Sequence, residues 1–223
     1  MPFLRQSGCQ VLVNVFGFTP DEYVGVVERL NDCDGIAAYE LNISCPNTER
    51  GGMVFGARED ATRDLVNRVK VRSSRPIIVK LSPNVTDIAA VAQAAEGAGA
   101  DALTVANTYL AMAIDPDTCR PRIENITAGL SGPAIRPITL RMVYQCAGQV
   151  KIPIFGLGGI TSGRDAIEYL LAGATAVQVG TAHFEDPGSS VRIANEIEEF
   201  LRRKNIPAVK DLVGRLEAGE LES

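Results

Sequence analysis

Short apolar runs alternate with longer amphipathic ones along the whole chain, and few folds accept that pattern. "CQVLVNVFG" (9–17), "AAYELNIS" (37–44), "PIIVKLS" (76–82), "ADALTVANT" (100–108), "IPIFGLGG" (152–159) and "ATAVQVGT" (174–181) read as strands. Helices are expected over 20–32, 59–73, about 86–97, 133–148 and 163–172, with two more over about 188–203 and 208–217. Thr19 is a natural N-cap with Pro20 at the first helical position, and the 59–73 segment carries acids early and bases late, as the helix dipole favours. A long polar loop is expected between the fourth strand and about Gly132. The strands are nearly continuous apolar runs, as in a parallel sheet covered on both faces. No composition break divides residues 1–223, so a single domain is expected.

A closed barrel and an open doubly wound sheet both produce this alternation. The glycines separate them. In an open nucleotide-binding sheet the glycine fingerprint follows the first strand. Here the glycine turns follow the last two, "GLGG" (156–159) and "VGTA" (179–182), and the loops after strands seven and eight are the usual phosphate site of a (β/α)8 barrel. The expected fold is therefore an α/β (β/α)8 TIM barrel lacking its first two βα units, with six strands present.

Composition removes several classes of function. A net charge of −5 gives no electrostatic reason to expect nucleic acid or an anionic membrane as partner. No apolar run is long enough to span a bilayer, and a cytoplasmic protein is expected. The five cysteines (9, 33, 45, 119, 146) are scattered without C-x-x-C spacing, and His183 is the single histidine, so no metal site is expected.

The polar groups of interest fall at strand ends: Asn14, Asn42, Cys45, Lys80, Asn107 and Thr108. In a barrel such ends converge on one pocket. Taken singly, each asparagine is also a common turn former. Lys80 lies inside "PIIVKLSP", where an unpartnered ammonium would be costly, so an anionic ligand would account for it. Cys45, beside Pro46, reads either as a small buried hydrophobe or as a thiol able to act as base or nucleophile. Gly159 and Gly180 are expected where the backbone closely approaches a phosphate or where φ is positive. On that basis Gly159→Val would cost affinity for the phosphate-bearing ligand more than apo stability.

"ELNISCPNT", "VKLSPNVTDI", "ITAGLSGPAIRP", "GLGGI" and "AVQVGTA" together resemble the dihydroorotate dehydrogenases, class 1B in particular, over essentially the whole chain. The resemblance implies a barrel that binds FMN and oxidises dihydroorotate to orotate in pyrimidine synthesis. It implies Cys45 as the active-site base, and Asn42, Asn107 and Thr108 as substrate contacts, with Asn42 shared by the flavin. Asn14, Lys80, Ala106, Gly132, Gly158, Gly159, Gly180 and Thr181 would complete the FMN site. It further implies a homodimer and a separate electron-transfer subunit carrying FAD and a [2Fe-2S] cluster, through which electrons reach NAD. "MPFLRQSG" matches the tail of the family's second barrel helix, so the first two βα units are expected to be absent. Two other readings stand beside this one: a dihydropyrimidine dehydrogenase-like flavin enzyme, and a non-catalytic flavin-binding or interaction fragment.

Overall fold

The computed structural model describes residues 2–6, 8–44 and 55–217. Cys45, the base implied by the resemblance, and Pro46 and Asn47 beside it lie outside the described residues.

One parallel sheet organises the chain. Its strands are β1 (Leu12–Val15), β2 (Ala38–Asn42), β3 (Ile77–Lys80), β4 (Ala102–Val105), β9 (Ile154–Leu157) and β10 (Ala176–Gln178), hydrogen-bonded in that order. Chain order and sheet order agree throughout, with none of the reversals that define a doubly wound sheet. The crossovers are α2 (Pro20–Asn31), α3 (Glu59–Arg72), α4 (Ile88–Gly97), α5 (Arg136–Ala147) and α6 (Gly163–Leu171). A five-residue helix, α1 (Pro2–Gln6), precedes the sheet, and α7 (Ala182–Glu185) and α8 (Ser189–Lys204) follow it.

The sheet is curled, and one hydrogen bond demonstrates it. Gln178 Nε2 on β10 donates to Glu40 Oε2 on β2 at 2.7 Å. Four inter-strand steps separate these strands, ~19 Å in a flat sheet at the usual ~4.8 Å spacing. Only a sheet bent toward closure brings the two side chains together. β1 and β10 stand at its two edges, with no further sheet partner among the described residues.

Alternation along each strand then sorts the side chains. One set, including Val15, Tyr39, Leu41, Ile77, Val79, Leu103, Val105 and Ile154, packs with Tyr23, Val27, Leu65, Val91, Val143 and Tyr169 of the helices in the main core. The opposite set faces the concave side. There Ala38, Ile78 and Ala102 pack with Phe155 as a small apolar layer. Above it, toward the strand C-termini, Asn14, Glu40, Lys80, Thr104 and Gln178 form a polar layer.

Local signals explain the helix boundaries. Thr19 caps α2 by accepting from Glu22 N, with proline in the first turn, as expected. Asp87 caps α4 by accepting from Ala89 N and Ala90 N, and Ser162 and Asp165 form a capping box on α6. Pro137 lies in the first turn of α5, where its missing N–H has no intrahelical partner to lose. None of the helices among the described residues is long and apolar enough to cross a membrane.

Two expectations are corrected. The segment after β4 is not a polar loop. It folds into β5 (Tyr109–Met112) paired antiparallel with β8 (Thr127–Leu130), and β6 (Ile114–Asp115) paired with β7 (Arg120–Pro121). The helix expected over 208–217 is only a 3-10 turn, Val209–Leu212. Pro207 precedes it and Gly214, at φ +71, follows, which leaves no room for an α-helix.

At the opposite end of the sheet, Arg75 ties α2 to the strands. Its guanidinium donates to the carbonyls of Leu30 (3.2 Å), Asn31 (3.1 Å), Cys33 (2.6 Å) and Ile36 (2.8 Å), and to Tyr39 Oη (2.7 Å). The first two belong to the last turn of α2; the Leu30 carbonyl also accepts from Cys33 N at 3.0 Å, so the carbonyls of Asn31, Cys33 and Ile36 are the ones that depend on the guanidinium among the described residues. Arg75→Met keeps the stem and removes every donor, so it is expected to destabilise the fold by about 3 kcal/mol, the scale of several orphaned, partly buried acceptors. Chemical denaturation checks this, and a loss below ~1 kcal/mol would show that water replaces the guanidinium.

Candidate active site

At the C-terminal ends of the strands lies a cavity of about 250 Å³. Lys80, Asn107, Thr108, Gly132, Gly158, Gly159, Gly180 and Thr181 line it, together with Ser131, Gln178 and Glu185. Eight of the residues singled out from sequence are thus brought to one place. Asn14, Asn42 and Ala106, also singled out, are not among its lining residues.

The polar floor centres on a residue that sequence reading passed over. Glu40 is buried, and its carboxylate accepts from Asn14 Nδ2 at 2.7 Å, Thr104 Oγ1 at 2.6 Å and Gln178 Nε2 at 2.7 Å. Lys80 Nζ stands 3.8 Å from Oε1. The lysine therefore has a protein counter-charge, and an anionic ligand is not needed to account for its burial. A buried carboxylate with this many donors is satisfied, which is the condition for keeping a charge inside a fold. Asn14, read as a cofactor contact, spends its amide on Glu40.

A second network sits where β2 and β4 end. Asn42 Oδ1 accepts from Ser44 Oγ at 3.0 Å and from Asn107 Nδ2 at 3.3 Å, and Asn107 Nδ2 also reaches Ser44 Oγ at 2.6 Å. Ser44 is fully buried. The Asn42 carbonyl accepts from Tyr23 Oη at 2.7 Å. Asn107 Oδ1 accepts from Thr108 N at 2.8 Å, and Asn84 holds the next stretch through Thr108 O and Leu110 N. These two asparagines are locked to each other from the ends of strands separated by β3.

The glycines divide by physical cause. Gly159 has φ +67, and a Cβ there would lie 2.6 Å from Gly132 O. Glycine is required at 159 by the protein itself. Gly180 has no left-handed φ, and a Cβ there would meet nothing within 4 Å. The backbone N–H groups of Gly159, Gly180 and Thr181 make no hydrogen bond to the described residues. The sequence-based expectation for Gly159 is therefore revised: Gly159→Val is expected to destabilise the apo protein by ~2–4 kcal/mol through strain and overlap. Gly180→Val is expected to change apo stability by less than ~0.5 kcal/mol. Thermal unfolding of both variants checks the contrast.

Electrostatics at this end are sparse. Arg136, near the glycine turn, is held by Asp165 and Glu168. Of the described cysteines none lines the cavity, and burial pushes the Cys146 thiol up to about 12, which makes it inert packing.

A curled parallel sheet with its polar cavity at the strand C-termini and glycine turns after its last two strands places the chain in the α/β barrel class. The family model described as dihydroorotate dehydrogenase matches residues 4–201. The chain belongs to the dihydroorotate dehydrogenase family and is an oxidoreductase by that membership. It is 52% identical over 217 residues to "Dihydroorotate dehydrogenase B (NAD(+)), catalytic subunit" of Geobacter sp. (strain M21), and 54% identical to the protein of the same name from Geobacter sulfurreducens. Each alignment covers 97% of this chain and 71% of the relative. A crystal structure of DHODH from Eimeria tenella in complex with ferulenol shares the fold at TM-score 0.78 and 24% identity, over 96% of this chain and 65% of that one.

Proposed function

We propose that this chain supplies the flavin- and substrate-binding face of an enzyme that oxidises dihydroorotate to orotate in pyrimidine synthesis, passing electrons to NAD through a separate subunit. The observation that carries the proposal is the convergence of Lys80, Asn107, Thr108, Gly159, Gly180 and Thr181 on one cavity at the strand ends. Those residues fit FMN. N–H groups at 159, 180 and 181 with no acceptor among the described residues and the open space at Gly180 suit a phosphate, and Lys80 and Gln178 offer donors further along the cavity. When bound, the flavin supplies the hydride acceptor that no side chain here can provide.

Removing two hydrogens across a saturated C–C bond also requires a base. Cys45 is the residue assigned to take that proton, as thiolate. Asn42 and Asn107 hold the substrate's ring and carboxylate. Their mutual hydrogen bond and the bonds to Ser44 keep both amides oriented before substrate arrives, which saves ordering entropy. Thr108 contacts the same substrate from the segment fixed by Asn84. Lys80 favours negative charge at its end of the cavity, and Glu40 sets where that ammonium rests. The partner subunit, carrying FAD and a [2Fe-2S] cluster, belongs to this proposal, as do a homodimeric state and a cytoplasmic setting.

Substrate choice tests the proposal. With the FMN-loaded protein and its electron-transfer partner, dihydroorotate is expected to drive NAD reduction and dihydrouracil is not. Preference for dihydrouracil would assign the chain to the dihydropyrimidine-oxidising class instead.

A further inference from the structure

A peptide unit has two polar ends pointing in opposite directions, so holding one aims the other. In the glycine turn after β9, the carbonyl of Gly158 accepts a hydrogen bond from Tyr169 Oη at 2.7 Å. Tyr169 lies on α6, fully buried in the main core behind the turn. The Gly158–Gly159 peptide is trans, since the one cis bond among the described residues is Val105–Ala106. With the carbonyl drawn into the core, the Gly159 N–H of the same plane must point away from it. That direction is the cavity that Gly158 and Gly159 line, and the N–H has no acceptor among the described residues.

The neighbouring strand repeats the device. The Gly180 carbonyl accepts from His183 N at 3.0 Å and lies 3.2 Å from His183 Nδ1. A carbonyl can only accept, so Nδ1 carries the hydrogen, while Nε2 meets Ser190 Oγ at 2.9 Å. The Gly180–Thr181 plane is thereby held from outside, and the Thr181 N–H faces the cavity without a partner among the described residues.

We propose that Tyr169 and His183 are positioning residues for an anionic phosphate group, each holding a carbonyl so that the N–H of the same peptide points into the cavity. This rests on the reading of the cavity as an FMN site. The local sequence is built around the tyrosine. A Cβ at Gly156 would lie 2.5 Å from Tyr169 Cδ1, so glycine at 156 makes room for the ring that reaches Gly158. Thr139 crowds the same place: a Cβ at Gly158 would lie 2.9 Å from its Oγ1. The glycines of "GLGG" are thus partly a seat for a tyrosine whose hydroxyl aims the turn.

Comparing FMN with riboflavin, which lacks the phosphate, isolates the effect. The chain, joined to the segment of the Geobacter sulfurreducens relative that it does not span, is titrated with each flavin by equilibrium dialysis, as wild type, Tyr169→Phe and His183→Ala. Tyr169→Phe removes one oxygen and is expected to weaken FMN about tenfold while leaving riboflavin unchanged. His183→Ala, at a partly exposed side chain, is expected to act the same way with a smaller factor. A merely structural role would weaken both flavins alike. Wild type that prefers FMN, with both variants keeping that preference, would overturn the proposal alone. Wild type that takes up the two flavins equally, or neither, would overturn the phosphate reading and the proposal with it.

Discussion

Replacing Cys45 by alanine lowers dihydroorotate turnover at least ~10²-fold, the usual share of a general base, when the change is made in a complete barrel. Such a protein is obtained by joining these residues to the segment of the Geobacter sulfurreducens relative that they do not span. FMN content stays unchanged, because the thiol serves the substrate and not the flavin. Cys45→Ser keeps partial activity that rises with pH, since a hydroxyl is a far weaker acid than a thiol. The four described cysteines offer no substitute: Cys146 is buried packing, and Cys9, Cys33 and Cys119 do not line the cavity. Near-normal turnover in Cys45→Ala would remove the thiol from the mechanism.

The 223 residues expressed alone are expected to bind FMN weakly and to oxidise no measurable dihydroorotate. The reason lies in the sheet. Six strands curl around the polar layer, but β1 and β10 meet no further strand among the described residues. Leu12 and Asn14 of β1 are exposed on the concave side. A pocket without that wall admits water and weakens every directed charge within it. Misplacing a reacting group by ~1 Å alone can cost 10²-fold. The open edges and the apolar side chains exposed on the 109–130 hairpins, Leu110, Met112 and Ile126 among them, also favour self-association. Steady-state assay and sedimentation of the purified chain check both parts. A yellow, monodisperse protein with turnover matching the joined version would show that the barrel closes in another way.

The strand and helix order was legible because apolar runs and caps are local signals. Thr19, Pro20 and the acids and bases of 59–73 announce their helices within a few residues. The convergence of Lys80, Asn107 and the glycine turns was legible for a different reason: a parallel barrel places every strand end on one face. Glu40 was not, although it sits inside the quoted motif. Its partners Asn14, Thr104 and Gln178 come from distant strands, and only the register that sets Asn14 beside Glu40 and Asn42 beside Lys80 brings them together. One sequence does not reveal that register. The hairpins of 109–130 were missed because β5 and β8 are four residues each and their partners lie far apart in sequence. The roles of Gly156 and Gly159 needed Tyr169 and Gly132 O in place before steric need could be told from ligand approach.

Diffraction from the joined protein grown with FMN and orotate tests the central claim most directly. The account predicts the flavin phosphate within hydrogen-bond distance of the Gly159 and Thr181 N–H groups, the flavin ring beside Lys80, and orotate between that ring and Cys45, held by Asn42 and Asn107. A flavin bound elsewhere, or a phosphate away from both glycine turns, would contradict it.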